Sequence, residues 1–225
     1  MQSIVTVCAR AGSKGLPGKA LKNLGGKLLI EHSIDHGREY RKCNGGDVVV
    51  STDVSAPFYP DVVLLGRPPH LATDTVSKVE VLRWIANMFP YTELIIDLDI
   101  CNPMRSVKDI ETMVRFFEYD KPLTMVSVCH ARKNPHFNMV TVCDGKARVV
   151  VPGDYSRRQD APAVYELNNS IFLYNAVALR DGRIQSSITS DTTVYIMPEC
   201  TRNDVDSGFD FQQLEAAWRV YGSAL

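Results

Sequence analysis

A chain of 225 residues, 45% hydrophobic and 23% charged with a formal net charge of −1, has an ordinary globular composition, long enough for one full-sized core and a small appendage. The near-neutral balance argues against non-specific binding to nucleic acid or anionic membranes, so any affinity for anions must come from a local cluster. The chain does not open on a basic segment followed by a long apolar run, no stretch approaches a membrane span, and the six cysteines include no C-x-x-C pair; reduced packing cysteines and a cytoplasmic address are expected.

The first β-rich run, "SIVTVC" (3–8), leads directly into "CARAGSKGLPGKA" (8–20), where glycines are interleaved with Arg10, Ser13, Lys14 and Lys19. A helical pattern at 28–42 and the run "DVVVST" (47–52) follow, then a helix at 77–89, the run "ELIIDLDI" (93–100), a helix at 106–118 and the run "LTMVSV" (123–128). In the helix at 106–118, Val107, Ile110, Met113, Val114 and Phe117 recur at helical spacing and Ser106 can cap its start. Strands alternating with helices predict an α/β fold: a Rossmann-like, mainly parallel sheet covered by helices on both faces. Ligands of such sheets bind at the carboxyl ends of strands, where the loop 8–20 emerges.

The rhythm changes after about residue 130. "FNMVTVCDGKARVVV" (137–151) places two apolar β runs around Asp144-Gly145, a hairpin signal, and the polar "PGDYSRRQDAP" (152–162) follows. Alternation resumes with "NSIFLYN" (169–175), "TVYIM" (193–197) and a last helix at 209–221. Residues 132–168 are read as a hairpin subdomain inserted into a single domain spanning 1–225.

The opening loop fits neither common phosphate template. A P-loop needs Ser or Thr after its lysine, whereas Lys19 precedes Ala20 and the Gly12–Gly18 spacing is one residue too long. The glycines at 12, 15 and 18 also miss the G-x-G-x-x-G spacing. The parts remain suited to a triphosphate: glycines admit backbone amides to an anion, and Arg10, Lys14 and Lys19 supply countercharge. The bland alternative is a glycine-rich turn with solvated charges.

"ARAGSKGLPGK" resembles the signature loop of the acylneuraminate cytidylyltransferases (CMP-sialic acid synthetases). The resemblance continues collinearly through "VVVSTD" (48–53), "GRPPHLATDTVSKVEVL" (66–82), "LDICNPMRSVKDI" (98–110), "RRQDAPAVYELNNSIFLYN" (157–175) and "NDVDSGFDF" (203–211). The wording of "LIIDLDICNPMRS" and "APAVYELNNSIF" is similar to the branch acting on legionaminic acid-type nonulosonates. The resemblance implies a nucleotidyltransferase that passes CMP from CTP to the anomeric hydroxyl of a nine-carbon acidic sugar, releasing pyrophosphate. It also implies Mg²⁺, with Mn²⁺ as a substitute, and a homodimer in which the inserted hairpin reaches the second subunit's sugar pocket.

Carried over residue by residue, the resemblance assigns the triphosphate to Arg10, Ser13, Lys14 and Lys19. Ala20 stands where the family usually has Asn. Cytosine falls to the strand-end backbone of Cys8 and Ala9, with Arg67 and Ser77; Arg67 precedes two prolines, and its other reading is a solvated arginine. Asp204 and Asp206, at alternating positions of an extended segment, share a face and suit a hard cation. Asp206 joins Arg10, Lys14 and Lys19 as a catalytic candidate, whereas Asp210 is open to a simpler role as a charge at a helix start. Arg158, Gln159 and Asn168 match the sugar-binding positions, a guanidinium suiting a carboxylate. Asp99 either binds the metal or reads the sugar, Asp97 is as readily a buried structural carboxylate, and Arg105 is expected to organise its loop. Asp53 braces the floor, and the histidines, His130 and His136 among them, lack metal spacing. The competing functions are a cytidylyltransferase for another ketosugar acid such as 3-deoxy-manno-octulosonate, and a non-catalytic nucleotide or sugar sensor.

Overall fold

A computed structural model describes residues 1–12, 15–53, 57 and 59–222. The chain runs β1 (Ser3–Ala9), a two-strand turn of β2 (Asn23–Leu24) and β3 (Lys27–Leu28), α1 (Leu29–Asn44), β4 (Asp47–Thr52), β5 (Val63–Gly66), α2 (Lys78–Met88), β6 (Leu94–Leu98), α3 (Val107–Asp120) and β7 (Thr124–His130). The hairpin strands β8 (Val140–Cys143) and β9 (Lys146–Val149) come next, then β10 (Tyr165–Asn175), α4 (Ala176–Arg180), β11 (Thr192–Ile196) and α5 (Gly208–Tyr221).

Seven strands form one sheet in the order β11-β7-β10-β6-β1-β4-β5. Every neighbouring pair is parallel except the two made by β10, which lies antiparallel between β6 and β7. The central strands are apolar on both sides because both faces are covered. Val5, Val7, Val48, Val50, Ile96 and Leu98 pack with Ile30, Ile34, Ile110 and Phe117 of α1 and α3. On the other face Ile4, Val49, Ile95 and Phe172 pack with Val81, Leu82, Ile85 of α2 and Leu179 of α4. A smaller cluster ties Leu214 of α5 to Leu16, Leu24, Met104 and Val205.

Three helices begin alike. Ser77, Ser106 and Ser207 each accept a hydrogen bond from the backbone N–H three residues on, and the acid there, Glu80, Asp109 or Asp210, accepts one from the serine N–H. Each such box satisfies helix-end donors and contributes about 1 kcal/mol. Asp210 therefore has the simpler of its two expected roles, as the cap acid of α5.

The hairpin at 140–149 forms with its turn at Asp144-Gly145, and all eight of its strand residues are exposed. Two of the cysteines expected to pack, Cys43 and Cys143, are also exposed, while Cys129 is buried. Among the described residues no helix is long and apolar enough to cross a membrane.

Candidate active site

β1 lies between β4 and β6, so the chain leaves it towards one side through α1 and reaches β6 on the other side through α2. A crevice opens at the carboxyl ends where such connections diverge. It holds a cavity of about 420 Å³, within the range of small-molecule sites, lined by Cys8 at the end of β1 and Arg10 after it, Arg67 and Val76 before α2, Lys78 of α2, Asp99 and Cys101 after β6, and by Lys19 and Asp206.

Three expected cations meet there. Arg10 donates through Nη1 to the Thr73 carbonyl at 2.8 Å and pairs through Nη2 with Asp74 at 2.7 Å, bridging the cavity mouth. Arg67 is part-buried rather than solvated: its Nη2 donates to the Ser51 carbonyl at 3.0 Å and its backbone N–H to the Thr52 carbonyl at 2.9 Å. Lys19 donates to the Val205 carbonyl at 2.6 Å and lies 3.5 Å from Asp206 Oδ1. Burial opposes the Lys19 charge, but the Cys101 thiol and the Asp206 carboxylate more than offset it and raise its pKa. Ser13 and Lys14 lie outside the described residues. Gly15 permits the closure of this loop on the distant C-terminal segment, since a Cβ there would stand 2.1 Å from the Asp206 carbonyl oxygen.

The remaining nucleotide candidates sit differently. Ala9 has its methyl buried in the core, as does Ala20. Ser77 is not among the cavity-lining residues; its hydroxyl caps α2, and its neighbours Val76 and Lys78 line the wall instead. Cys8 does line the cavity, and burial, then Asp97, push its thiol up to about 12, so it is no nucleophile at neutral pH. Asp53, expected at the floor of the site, instead accepts from the Ala11 N–H at 2.8 Å and holds the start of the loop after β1.

Beneath the cavity Asp97 is fully buried, with Thr6 Oγ1 donating to it at 2.8 Å and Lys78 Nζ 2.8 Å from its other oxygen. Lys78 also pairs with Asp99. Burial alone would lift the Asp99 carboxyl; Lys78 and the Cys101 amide override it and bring the group to about 2. Arg105 is wholly buried, donating to the carbonyls of Asp99 at 2.9 Å and Asn102 at 3.0 Å and to that of Ser170, which ties β6 to β10. It also donates to the hydroxyls of Ser33 in α1 and Ser170 in β10, so its partners are neutral oxygens from three elements.

Asp204 and Asp206 flank the fully buried Val205 and so point away from the core, as alternation requires. Asp206 is open to the main cavity, while Asp204 lines a different, smaller one and accepts from Asn169 Nδ2 at 2.6 Å. Burial raises the Asp204 pKa despite that bond, and the charges of Asp99 and Asp206 raise it further. No three His, Cys, Asp or Glu side chains stand together as a ready metal cage among the described residues. The donor set still fits Mg²⁺, which is commonly held by one or two carboxylates while phosphate oxygens and water complete its shell. A cation bound there would stabilise the charged form of Asp204 that burial disfavours.

The residues expected on the sugar are not together. Arg158 and Gln159 line a second cavity of about 370 Å³ with His130 and Asn134, and Arg158 donates to the Ala131 carbonyl at 3.0 Å. Asn168 lines neither cavity: it is fully buried, accepting from Ser127 Oγ at 2.6 Å and donating to Thr201 Oγ1 at 2.9 Å. The β10 register shifts between Leu167 and Phe172, and Asn169, at φ 49°, is the asparagine turned to the acids. Sequence reasoning missed Asn169 for want of any local sign of that shift. It also missed Lys78, although a lysine in the first turn of a helix opposes the dipole and was a usable signal.

The family described as cytidylyltransferase matches residues 4–179 of the chain. A CMP-N,N'-diacetyllegionaminic acid synthase of Campylobacter jejuni is 31% identical, covering 94% of this chain and 93% of that one. An N-acylneuraminate cytidylyltransferase of Streptococcus agalactiae is 30% identical over 94% of this chain, which spans 52% of that protein's length. The fold is similar to a solved structure of CMP:2-keto-3-deoxy-manno-octonic acid synthetase complexed with CTP, with a TM-score of 0.67 at 17% identity and all of both chains covered.

Proposed function

Because the chain belongs to the cytidylyltransferase family, we propose that it activates a nine-carbon acidic sugar of the legionaminate or N-acylneuraminate kind by transferring CMP to it from CTP. The observation that carries this reading is the convergence of Arg10, Lys19 and Arg67 on one cavity whose rim bears Asp206. The likeness to a CMP-N,N'-diacetyllegionaminic acid synthase along 94% of the chain supports the sugar class. In the reaction the oxygen of the anomeric hydroxyl forms a bond to the α-phosphorus and gives up its proton to solvent, the bond from that phosphorus to the bridging oxygen breaks, and pyrophosphate leaves with the electron pair.

This chain's own groups supply charge and position. Arg10 and Lys19 neutralise the triphosphate, with Lys14 expected beside them, and Arg67 with the end of β1 frames the base. Asp204 and Asp206 are the residues to hold Mg²⁺, which when bound withdraws charge from the phosphoryl oxygens. Arg158 and Gln159 are assigned to the sugar carboxylate and its polar substituents, and a cytoplasmic address goes with the reading. The test is pyrophosphate release with each of the four NTPs against a panel of nonulosonates and 3-deoxy-manno-octulosonate. Turnover is expected with CTP and a nonulosonate; equal release from all four nucleotides would remove the assignment.

The second cavity receives its purpose from assembly. Val140 and Val142 of the hairpin are 53% and 71% exposed, and an isolated two-stranded hairpin is marginal in water. On this reading residues near 134–165 pack on a second copy, and Arg158 and Gln159 complete the partner's site. Introducing Val140→Asp and Val142→Asp together is expected to give a monomer by light scattering with at least a tenfold higher KM for the sugar. A mutant that stays dimeric, or a monomer with parental KM, would count against this arrangement.

A further inference from the structure

Lys78 stands at the start of α2, where the helix dipole repels a cation, and only 28% of its side chain is exposed. A charge in that position is costly unless its surroundings compensate it. The compensation comes from β6 and the residue after it. Lys78 Nζ sits 2.8 Å from Asp97 Oδ2, pairs with Asp99 Oδ2, and lies 5.6 Å from the centre of the Phe172 ring.

The bonding of Asp99 is the consequential part. Its Oδ2 carries the ammonium and its Oδ1 accepts from the Cys101 N–H at 2.9 Å, so each oxygen has a cationic or amide donor before any ligand arrives. A divalent cation on either oxygen would lie within a few ångströms of the ammonium, a like-charge contact that a part-buried site penalises heavily. Asp97 cannot release the lysine, because it is itself fully buried and would be left an uncompensated charge. Carboxylate oxygens have further lone pairs, so Asp99 remains able to accept hydrogen bonds from neutral donors such as hydroxyls or amides. It lines the main cavity, where such donors would reach it.

We propose that Lys78 is a positioning residue that keeps Asp99 out of the metal shell and reserves it as a hydrogen-bond acceptor for the bound nucleotide or sugar. The divalent cation is thereby confined to Asp204 and Asp206. This inference rests on the reading that a metal–CTP complex fills the cavity.

The experiment is Mn²⁺ binding to the CTP-loaded protein without sugar, followed by the electron paramagnetic resonance of free Mn²⁺. CTP binding is measured first by calorimetry, and its absence would sink both the functional reading and this inference. With CTP bound, Asp99→Asn is expected to hold Mn²⁺ within twofold of the parent's affinity. A tenfold loss would place Asp99 in the metal shell and overturn the proposal while leaving the function intact. Lys78→Met alone strands Asp97, so the second test uses Asp97→Asn with Lys78→Met, which leaves Asp99 ionised and without its ammonium. That protein is expected to take up a second Mn²⁺ or to bind the first at least tenfold more tightly. Parental stoichiometry and affinity in the folded double variant would overturn the proposal. Lys78→Arg, which keeps the cation, is expected to behave as the parent does; an extra Mn²⁺ there would count against the role of charge.

Discussion

Asp206→Asn is expected to lower kcat at least 100-fold at saturating Mg²⁺ while the fold and CTP binding survive. The residue is 82% exposed at its side chain, so its replacement costs little stability. It stands at the cavity rim 3.5 Å from Lys19, and a neutral amide is a poor donor to a hard cation beside a transferring phosphoryl group. A hundredfold loss corresponds to about 3 kcal/mol of transition-state stabilisation, the size expected when one preorganised charge is removed. Steady-state kinetics with calorimetric CTP binding separate the two effects. An unchanged kcat would take the "DVD" segment out of the site.

Arg105→Ala acts on stability instead, with an expected loss of about 3–5 kcal/mol in urea denaturation. The guanidinium is wholly buried and faces backbone carbonyls rather than a carboxylate: Asp99, Asn102 and Ser170 all accept from it. Burial pushes its pKa down to about 10, with Asp99 and Asp97 pulling it back up, so it stays protonated at neutral pH. Deleting it strips those acceptors of their donor in a place water does not reach. Out of a total stability of about 5–15 kcal/mol, such a loss removes a large share of what holds the native state. Lysine cannot restore it, because one ammonium lacks the planar fork that spans β6 and β10. A folded Arg105→Ala protein within about 1 kcal/mol of the parent would show that the loop is held by other means.

The alternation of apolar runs and helical patterns was enough to read the parallel core, its two covered faces and the hairpin, because period and turn chemistry are local. β5 escaped because it is an edge strand of four residues with alternate exposure, and α4 because five residues carry too little periodicity. The antiparallel sense of β10 is not encoded in its own apolar run, since a hydrophobic pattern reads the same in either direction. In the site, Arg10 and Lys19 were legible as cations among glycines after the first strand, whereas Arg67 came from the family resemblance. The Lys78–Asp97–Asp99 cluster was not, since it joins a helix start to a strand end and exists only once α2 is laid on the sheet. That Asn168 faces inward while Asn169 bonds Asp204 was hidden for a related reason. The shift in β10 reverses which neighbour faces inward, and sequence adjacency cannot reveal it.

The contact between Gly15 and the Asp206 carbonyl also sets a schedule. The two residues are 191 positions apart (206 − 15), and the loop rests on backbone that the ribosome makes long after it. At about 5–20 residues per second, the loop waits roughly 10–40 s for that support. During that interval the sheet around β1 can form, but the wall supplied by Val205 and Asp206 is missing. On the proposed function, CTP is then a poor folding aid for the nascent chain and is expected to stabilise the protein only after the segment carrying Asp206 has docked.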